Sequence, residues 1–151
     1  MSKTIDEKNK LRYVVGFITY KDEVILIKKI KPHCFKGLLN GVGGLAKEWE
    51  TNKQAIIRKT LEETDLEIKK WNPVASRRYI KNEKIIEVYF FHAEAKEFQF
   101  SEYESMTDET LDTYKIYDLP ENTVEDVPYF LDLISLFRNP IYSKPEGKKN
   151  D

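Results

Sequence analysis

Apolar positions along the chain fall into short β-branched and aromatic runs more often than into long helical stripes. Leu11 to Tyr20 and Glu23 to Ile30 are two such runs, separated by Lys21-Asp22. They predict a hairpin, although it lacks the glycine of the most favourable two-residue turns. An extended piece is expected from Gly37 to Gly43. Thr51 with Gln54 three residues later matches a capping box, and the helix-compatible stretch behind it runs to about Glu63. Pro73 to Ile80 and Lys84 to Ala95 carry Tyr79, Ile85, Ile86, Val88, Tyr89, Phe90 and Phe91, so a second hairpin is expected to turn at Asn82. A further strand is expected at Tyr114 to Tyr117. Asp126 reads as the N-cap of a closing helix, with Pro128 near its first turn and Tyr129, Phe130, Leu133, Ile134 and Phe137 at helical spacing before Pro140. This order of strands, helix, strands, helix, with short turns, predicts a mixed α/β sandwich. A doubly wound sheet would need more crossover helices.

Composition narrows the class. A chain of 151 residues, 40% of them apolar, is long enough to bury about two-thirds of its unfolded surface around one core. The expected domain runs over residues 11–138. The polar, lysine-rich ends, 1–10 and 143–151, are expected to be flexible tails, because they bury too little apolar area to offset their ordering entropy. Charged residues reach 34%, yet 25 Lys/Arg against 26 Asp/Glu leave a net charge of -1. Such a balance offers no general field for nucleic acid or an anionic membrane, so a polyanion must meet a local site. No run approaches the ~20 apolar residues of a membrane span. The single Cys34 has no partner in the chain for a disulfide, and the first residues lack a secretory apolar segment. A cytoplasmic location is expected.

The stretch richest in chemistry is Gly41 to Glu50, GVGGLAKEWE, followed by Arg58 to Leu66, RKTLEETDL. At about 100° per residue, Arg58, Lys59, Glu62 and Glu63 are expected on one charged helix face, with Ile57, Thr60, Leu61 and Thr64 opposite on the core side. Two adjacent carboxylates on a rigid helix suit a hard divalent cation such as Mg²⁺, and Gly41, Gly43 and Gly44 let backbone approach that ion or a substrate closely.

These residues resemble the box of the Nudix family, G-x5-E-x7-R-E-U-x-E-E-x-G-U with U apolar. Gly44, Glu50, Arg58, Glu62, Glu63 and Leu66 stand in that register, six positions over 23 residues with both spacers intact. The resemblance covers about residues 11 to 138 and implies an α/β/α sandwich with a mixed sheet. It implies that Gly44 offers a carbonyl to the metal, that Glu62 and Glu63 bind Mg²⁺ or Mn²⁺, and that Glu50 pairs with Arg58 to brace the loop. It also implies hydrolysis of a nucleoside di- or triphosphate, or a related nucleotide, at its pyrophosphate linkage by metal-activated water. Many members add a metal-binding glutamate from the region before the last strand. Glu109 is the first candidate here, with Glu102 and Glu104 behind it and a solvated acidic loop as the plainer reading.

Three positions depart from the box. Thr60 replaces an apolar residue, and Asp65 replaces the glycine that would end the helix easily. Lys59 stands in the place of a glutamate that helps bind metal and in some members acts as base. Two readings therefore compete. The site hydrolyses with another base and fewer ions, or it is an impaired nucleotide-binding module in which Lys59 stands in for a metal charge.

The order G-x-x-N-G-x-G-G around Asn40 resembles the MutT-like branch that acts on oxidised purine nucleotides, which implies a base contact for Asn40. A turn asparagine capping backbone fits the same position. Phe35 either walls a base pocket or covers the sheet edge, and Gly43 is placed on the substrate side. Asp126 either meets a purine edge or caps the closing helix. Thr123 and Val124 stand where those relatives carry a stacking aromatic, a further departure. Arg77 or Arg78 is a candidate for substrate phosphate, whereas Trp49 and Trp71 are expected to be packing residues.

Overall fold

The computed structural model describes residues 10–30, 36–96 and 110–138. Its elements run β1 (Lys10–Tyr20), β2 (Glu23–Lys28), β3 (Leu39–Asn40), β4 (Val42–Leu45), α1 (Asn52–Thr64), β5 (Asn72–Lys81), β6 (Lys84–Glu94), β7 (Thr110–Lys115) and α2 (Val127–Arg138). The seven strands form one mixed sheet in the path β3-β2-β1-β6-β5, with β4 joined to β1 and β7 joined to β2. Lys10, expected in the tail, is the first residue of β1 and pairs with Ile85.

Alternation along the central strands sorts apolar side chains into two layers. Val14, Ile18, Ile25, Ile27, Phe91 and Ala93 face one side, where they pack with Ala55 and Ile56 of α1 and with Trp71. Val15, Phe17, Val24, Leu26 and Phe90 face the other, against Val127, Phe130, Leu131 and Ile134 of α2. Phe90 and Phe130 stack with centroids 3.9 Å apart. The result is the α/β/α sandwich, one helix on each face of a mixed sheet.

The sheet forks where it matters. β1 and β2 pair only beside their turn, at Thr19↔Val24 and Tyr20↔Glu23. Since β6 runs along one whole edge of β1, and β7 along one whole edge of β2, the remaining edges diverge beyond that turn. The expected extended piece fills the gap in two parts: β3 pairs with β2, the chain breaks at Gly41, and β4 pairs with β1 from Gly16↔Val42 to Tyr13↔Leu45. A glycine-rich strand thus spans the fork.

Some expectations change. The strand expected at Tyr114–Tyr117 lies earlier, as β7, because its register follows the six residues of β2 and ends where Ile116 N–H donates to the Asp22 carbonyl of the hairpin turn. The helix faces also differ. Glu63 is buried at 2% exposure, whereas Leu61 is 42% exposed, so the charged and apolar faces are not cleanly opposed. The inward arc centres on Ala55, Ile56, Thr60, Glu63 and Thr64, because the strand opposite Glu63 is glycine and leaves room for a carboxylate. Trp71 is buried as expected, but Trp49 is 74% exposed with the Lys47 ammonium 5.5 Å from its ring. Asp65 ends α1 in the left-handed region at φ 63°, its N–H bonded to the Leu61 carbonyl at 2.9 Å.

Thr60 lies fully buried, and its hydroxyl meets no hydrogen-bond partner among the described residues. A buried hydroxyl without a partner costs roughly 1–3 kcal/mol. Thr60→Val, which keeps the shape and removes the polar atom, is expected to raise stability by about 1 kcal/mol, read as a rise of roughly 2–4 °C in Tm. A fall in Tm would show that the hydroxyl is satisfied.

Candidate functional site

The site begins at the N-terminus of α1. Thr51 Oγ1 accepts from Gln54 N–H at 3.1 Å while Gln54 Oε1 accepts from Thr51 N–H at 2.8 Å, a complete capping box. The preceding loop is tied down by Arg12 of β1, which donates to the carbonyls of Lys47 at 2.9 Å and Glu50 at 2.7 Å and to Asn52 Oδ1. Nothing in the sequence marked Arg12, since its partners lie 35 to 40 residues away in the chain.

Glu50, buried at 5% exposure, accepts from Arg58 through both carboxylate oxygens and from the Lys47 N–H at 2.8 Å. Arg58 continues to Glu62 Oε2 at 2.9 Å and to the Leu45 carbonyl at 3.2 Å. One guanidinium therefore joins the loop to two carboxylates. The Arg58 hydrogen bonds hold the Glu50 carboxyl well below its usual value, down to about 2, against the opposing effect of burial. Partial burial alone would raise Glu62, but Arg58 and the charge of Lys59 outweigh it, and its pKa is also lowered. The same two carboxylates raise the pKa of Arg58.

Glu63, the next residue, points inward. Its Oε1 accepts from Gly43 N–H at 2.8 Å, and its Oε2 lies 3.7 Å from the ammonium of Lys29. Lys29 Nζ also donates to the Gly43 carbonyl at 3.5 Å. Gly43 has φ 144°, and a Cβ there would stand 1.9 Å from the Val14 carbonyl oxygen, so this close approach belongs to glycine alone. At Gly44 the neighbour is Lys59: a Cβ would meet its Cε at 2.6 Å. Lys59 thus lies along the glycine strand, its ammonium 3.4 Å from Glu62 Oε1.

Above this strand opens a cleft of about 310 Å³. Ile86, Val88 and Phe90 of β6 and Tyr13 and Val15 of β1 form its apolar floor, Arg77, Tyr79 and Lys81 of β5 one rim, and Asp126 and Val127 one end. Asn40, Gly43 and Gly44 line the opposite wall, together with Lys29. Glu50, Arg58, Lys59, Glu62 and Glu63 stand behind that wall, with Glu63 reaching it through Gly43. Asn40 acts as a turn residue, its Oδ1 accepting from Gly41 N–H at 2.8 Å, and lines the cleft as well. Asp126 likewise has two contacts: its carbonyl accepts from Phe130 N–H at 3.1 Å at the start of α2, and its carboxylate pairs with Arg77. Phe35, Glu102, Glu104, Glu109, His33 and Cys34 lie outside the described residues. His92 is buried, with Nε2 2.7 Å from Thr19 Oγ1, far from this chemistry. Sequence reasoning missed Lys29, whose burial at 9% exposure follows from the fork in the sheet and not from the Lys28-Lys29 pair itself.

A family model described as the NUDIX domain matches residues 10–131. This chain belongs to the Nudix family. Solved structures with the Nudix fold superpose over most of its length. A MutT NUDIX hydrolase from Burkholderia pseudomallei aligns at TM-score 0.69 and 18% identity, over 83% of this chain and 98% of that one. The NUDIX domain of Shewanella oneidensis NrtR, solved with ADP ribose, aligns at TM-score 0.69 and 17% identity, over 89% and 94%. The C. elegans Ap4A hydrolase aligns at TM-score 0.60 and 16% identity, over 85% and 98%. At such identities the likeness is one of fold. No curated protein matches the sequence significantly.

Two predictions follow from the geometry of this Nudix site. Gly43→Ala is expected to cost more than about 3 kcal/mol, seen as a Tm drop near 10 °C or failure to fold, because its Cβ meets backbone. Gly44→Ala is expected to cost under about 1 kcal/mol, because only the flexible end of Lys59 must move. Equal losses would contradict the placement of Lys59. The second concerns pH. The folded Glu50 pKa of about 2 lies below the ordinary 4.5, so its stabilisation, up to about 3 kcal/mol, is complete above pH 4.5 and is lost as pH falls through about 2. Denaturant midpoints of wild type and Glu50→Gln should differ most at neutral pH and converge towards pH 2. A constant gap would refute the assignment.

Proposed function

We propose that this chain is a hydrolase of nucleotides, cleaving the pyrophosphate linkage of a nucleoside di- or triphosphate or a related nucleotide with the aid of Mg²⁺ or Mn²⁺. The observation that carries this reading is the cluster of Gly43, Glu63 and Lys29 at the wall of an open, mainly apolar cleft. A relative solved with ADP ribose and another named an Ap4A hydrolase favour the same substrate class.

The donor set suits a hard divalent ion. The Gly43 carbonyl and the Glu63 carboxylate already hold a cationic ammonium at 3.5 and 3.7 Å. Among the described residues no three His, Cys, Asp or Glu side chains converge, so the remaining ligands would be water and substrate phosphate, as is usual for Mg²⁺. Gly44 and Glu62, from the box, and Glu109, from the segment before β7, complete the candidate set. Bound there, the ion supplies a Lewis acid that neutralises pyrophosphate charge and lowers the pKa of water.

The chain's own residues do the rest. Gly43 N–H orients Glu63, and Arg58 with Glu50 keeps the loop against α1. Lys29 and Lys59 add positive charge where phosphate oxygens lie against the glycine strand. Glu62, paired with Arg58 and Lys59, serves to hold charge. Water attacks one phosphorus, the bridging P–O bond breaks, and each product leaves as a phosphate with the water's protons shared between product and solvent.

A second reading has its own observation. Glu62 and Glu63 are each already paired with a lysine, which fits a nucleotide-binding module without turnover. Incubation with nucleoside triphosphates, dinucleoside polyphosphates and ADP-ribose, with Mg²⁺ or Mn²⁺, separates the two. Turnover is expected, with a loss of at least about 100-fold in Glu63→Gln and of at least about tenfold in kcat/KM for Lys59→Glu. Binding by calorimetry without turnover, or a large gain of activity in Lys59→Glu, would establish the binding module instead.

A further inference from the structure

Polar groups at the α2 end of the cleft are arranged so that they present donors. Leu39 N–H donates to the Asn122 carbonyl and Val124 N–H to the Leu39 carbonyl, both at 2.8 Å, which brings Asn40 beside the start of α2. The Asn40 side-chain oxygen accepts from Gly41 N–H at 2.8 Å, so the backbone donor fixes the amide orientation and leaves the NH₂ group as its donor. Across the floor, Arg77 stands opposite Val88 in the β5–β6 ladder and donates to Asp126. A guanidinium carries five N–H groups, and a carboxylate engages at most two of them in a fork. Asp126 therefore does not face the cleft as a bare acceptor. It holds a flat cation in place. Val88, Phe90 and Val124 line the same cleft and offer an apolar bed for a planar ring.

We propose that Arg77, positioned by Asp126, reads the base of the substrate and selects a purine with two adjacent acceptors, the O6/N7 edge of guanine. This rests on the nucleotide reading above. Adenine presents an amino donor beside N7, and cytosine presents an amino donor, so each would set donor against donor. Guanine oxidised at C8 carries a proton on N7 and loses one of the two acceptors. The pairing of Asp126 with Arg77 thus turns the cleft away from the oxidised purine and towards the ordinary one.

The test is equilibrium binding, by calorimetry in Mg²⁺, of the non-hydrolysable imido analogues of GTP, ATP and 8-oxo-GTP to wild type, Arg77→Lys and Arg77→Gln, with tripolyphosphate as a base-free probe. The guanine analogue is expected to bind roughly 10- to 100-fold tighter than the other two. Arg77→Lys keeps the charge but loses the fork, and should reduce that ratio to about threefold or less. The Arg77–Asp126 pair is half exposed, so both variants should melt within a few degrees of wild type. Equal affinities in wild type, or an unchanged ratio in Arg77→Gln, overturn the proposal and leave the nucleotide reading standing. If tripolyphosphate binds and no nucleotide binds better than it does, both fall.

Discussion

The hydrogen bond from Gly43 N–H to the buried Glu63 carboxylate is the contact on which the site depends. It joins the strand that spans the fork between β1 and β2 to the last turn of α1, and it requires a residue without Cβ against the Val14 carbonyl. A carboxylate buried this deeply needs compensation, which comes from that N–H and from the ammonium of Lys29. The arrangement places negative charge, backbone carbonyl and a cation within a few ångströms of each other, at the wall of a cleft.

Around this contact, opposite charges are interleaved so that each carboxylate has a cationic partner. Glu50 meets Arg58, Glu62 meets Arg58 and Lys59, and Glu63 meets Lys29. Near-neutrality of the whole chain is thus repeated at the site. The consequence is a loop tied to α1 through Arg58, with lysines beside the glycine strand. Preorganised positive charge is what a transferred phosphoryl group needs. At the other end of the cleft, the Arg77–Asp126 pair does the same on a smaller scale, one carboxylate fixing one guanidinium.

Much of this was legible in the chain. Alternating β-branched and aromatic runs marked β1, β2, β5 and β6, and the Thr51-Gln54 box marked the start of α1, because strand alternation and capping are local patterns. The resemblance to the family's box from Gly44 to Leu66 implied the pairing of Glu50 with Arg58, whose hydrogen bonds join one loop to one helix. Harder cases had nonlocal causes. The direction of Glu63, expected on a charged face with Lys59, was decided by a gap that the glycine strand leaves on the opposite side. The start of β7 was set by the length of β2 and not by its own residues.

The sequence by itself determined the strand and helix order, the two-layered core and the box register, because period, capping and spacing act between near neighbours. Only the tertiary structure decided that Lys29 is buried beside Gly43, that Lys59 lies along Gly44, and that Asp126 is engaged by Arg77. Those partners are 14, 15 and 49 residues apart in the chain. They meet because β1 and β2 diverge and β5 runs beside the start of α2, and such register lies in the pairing of whole strands, which no single segment encodes.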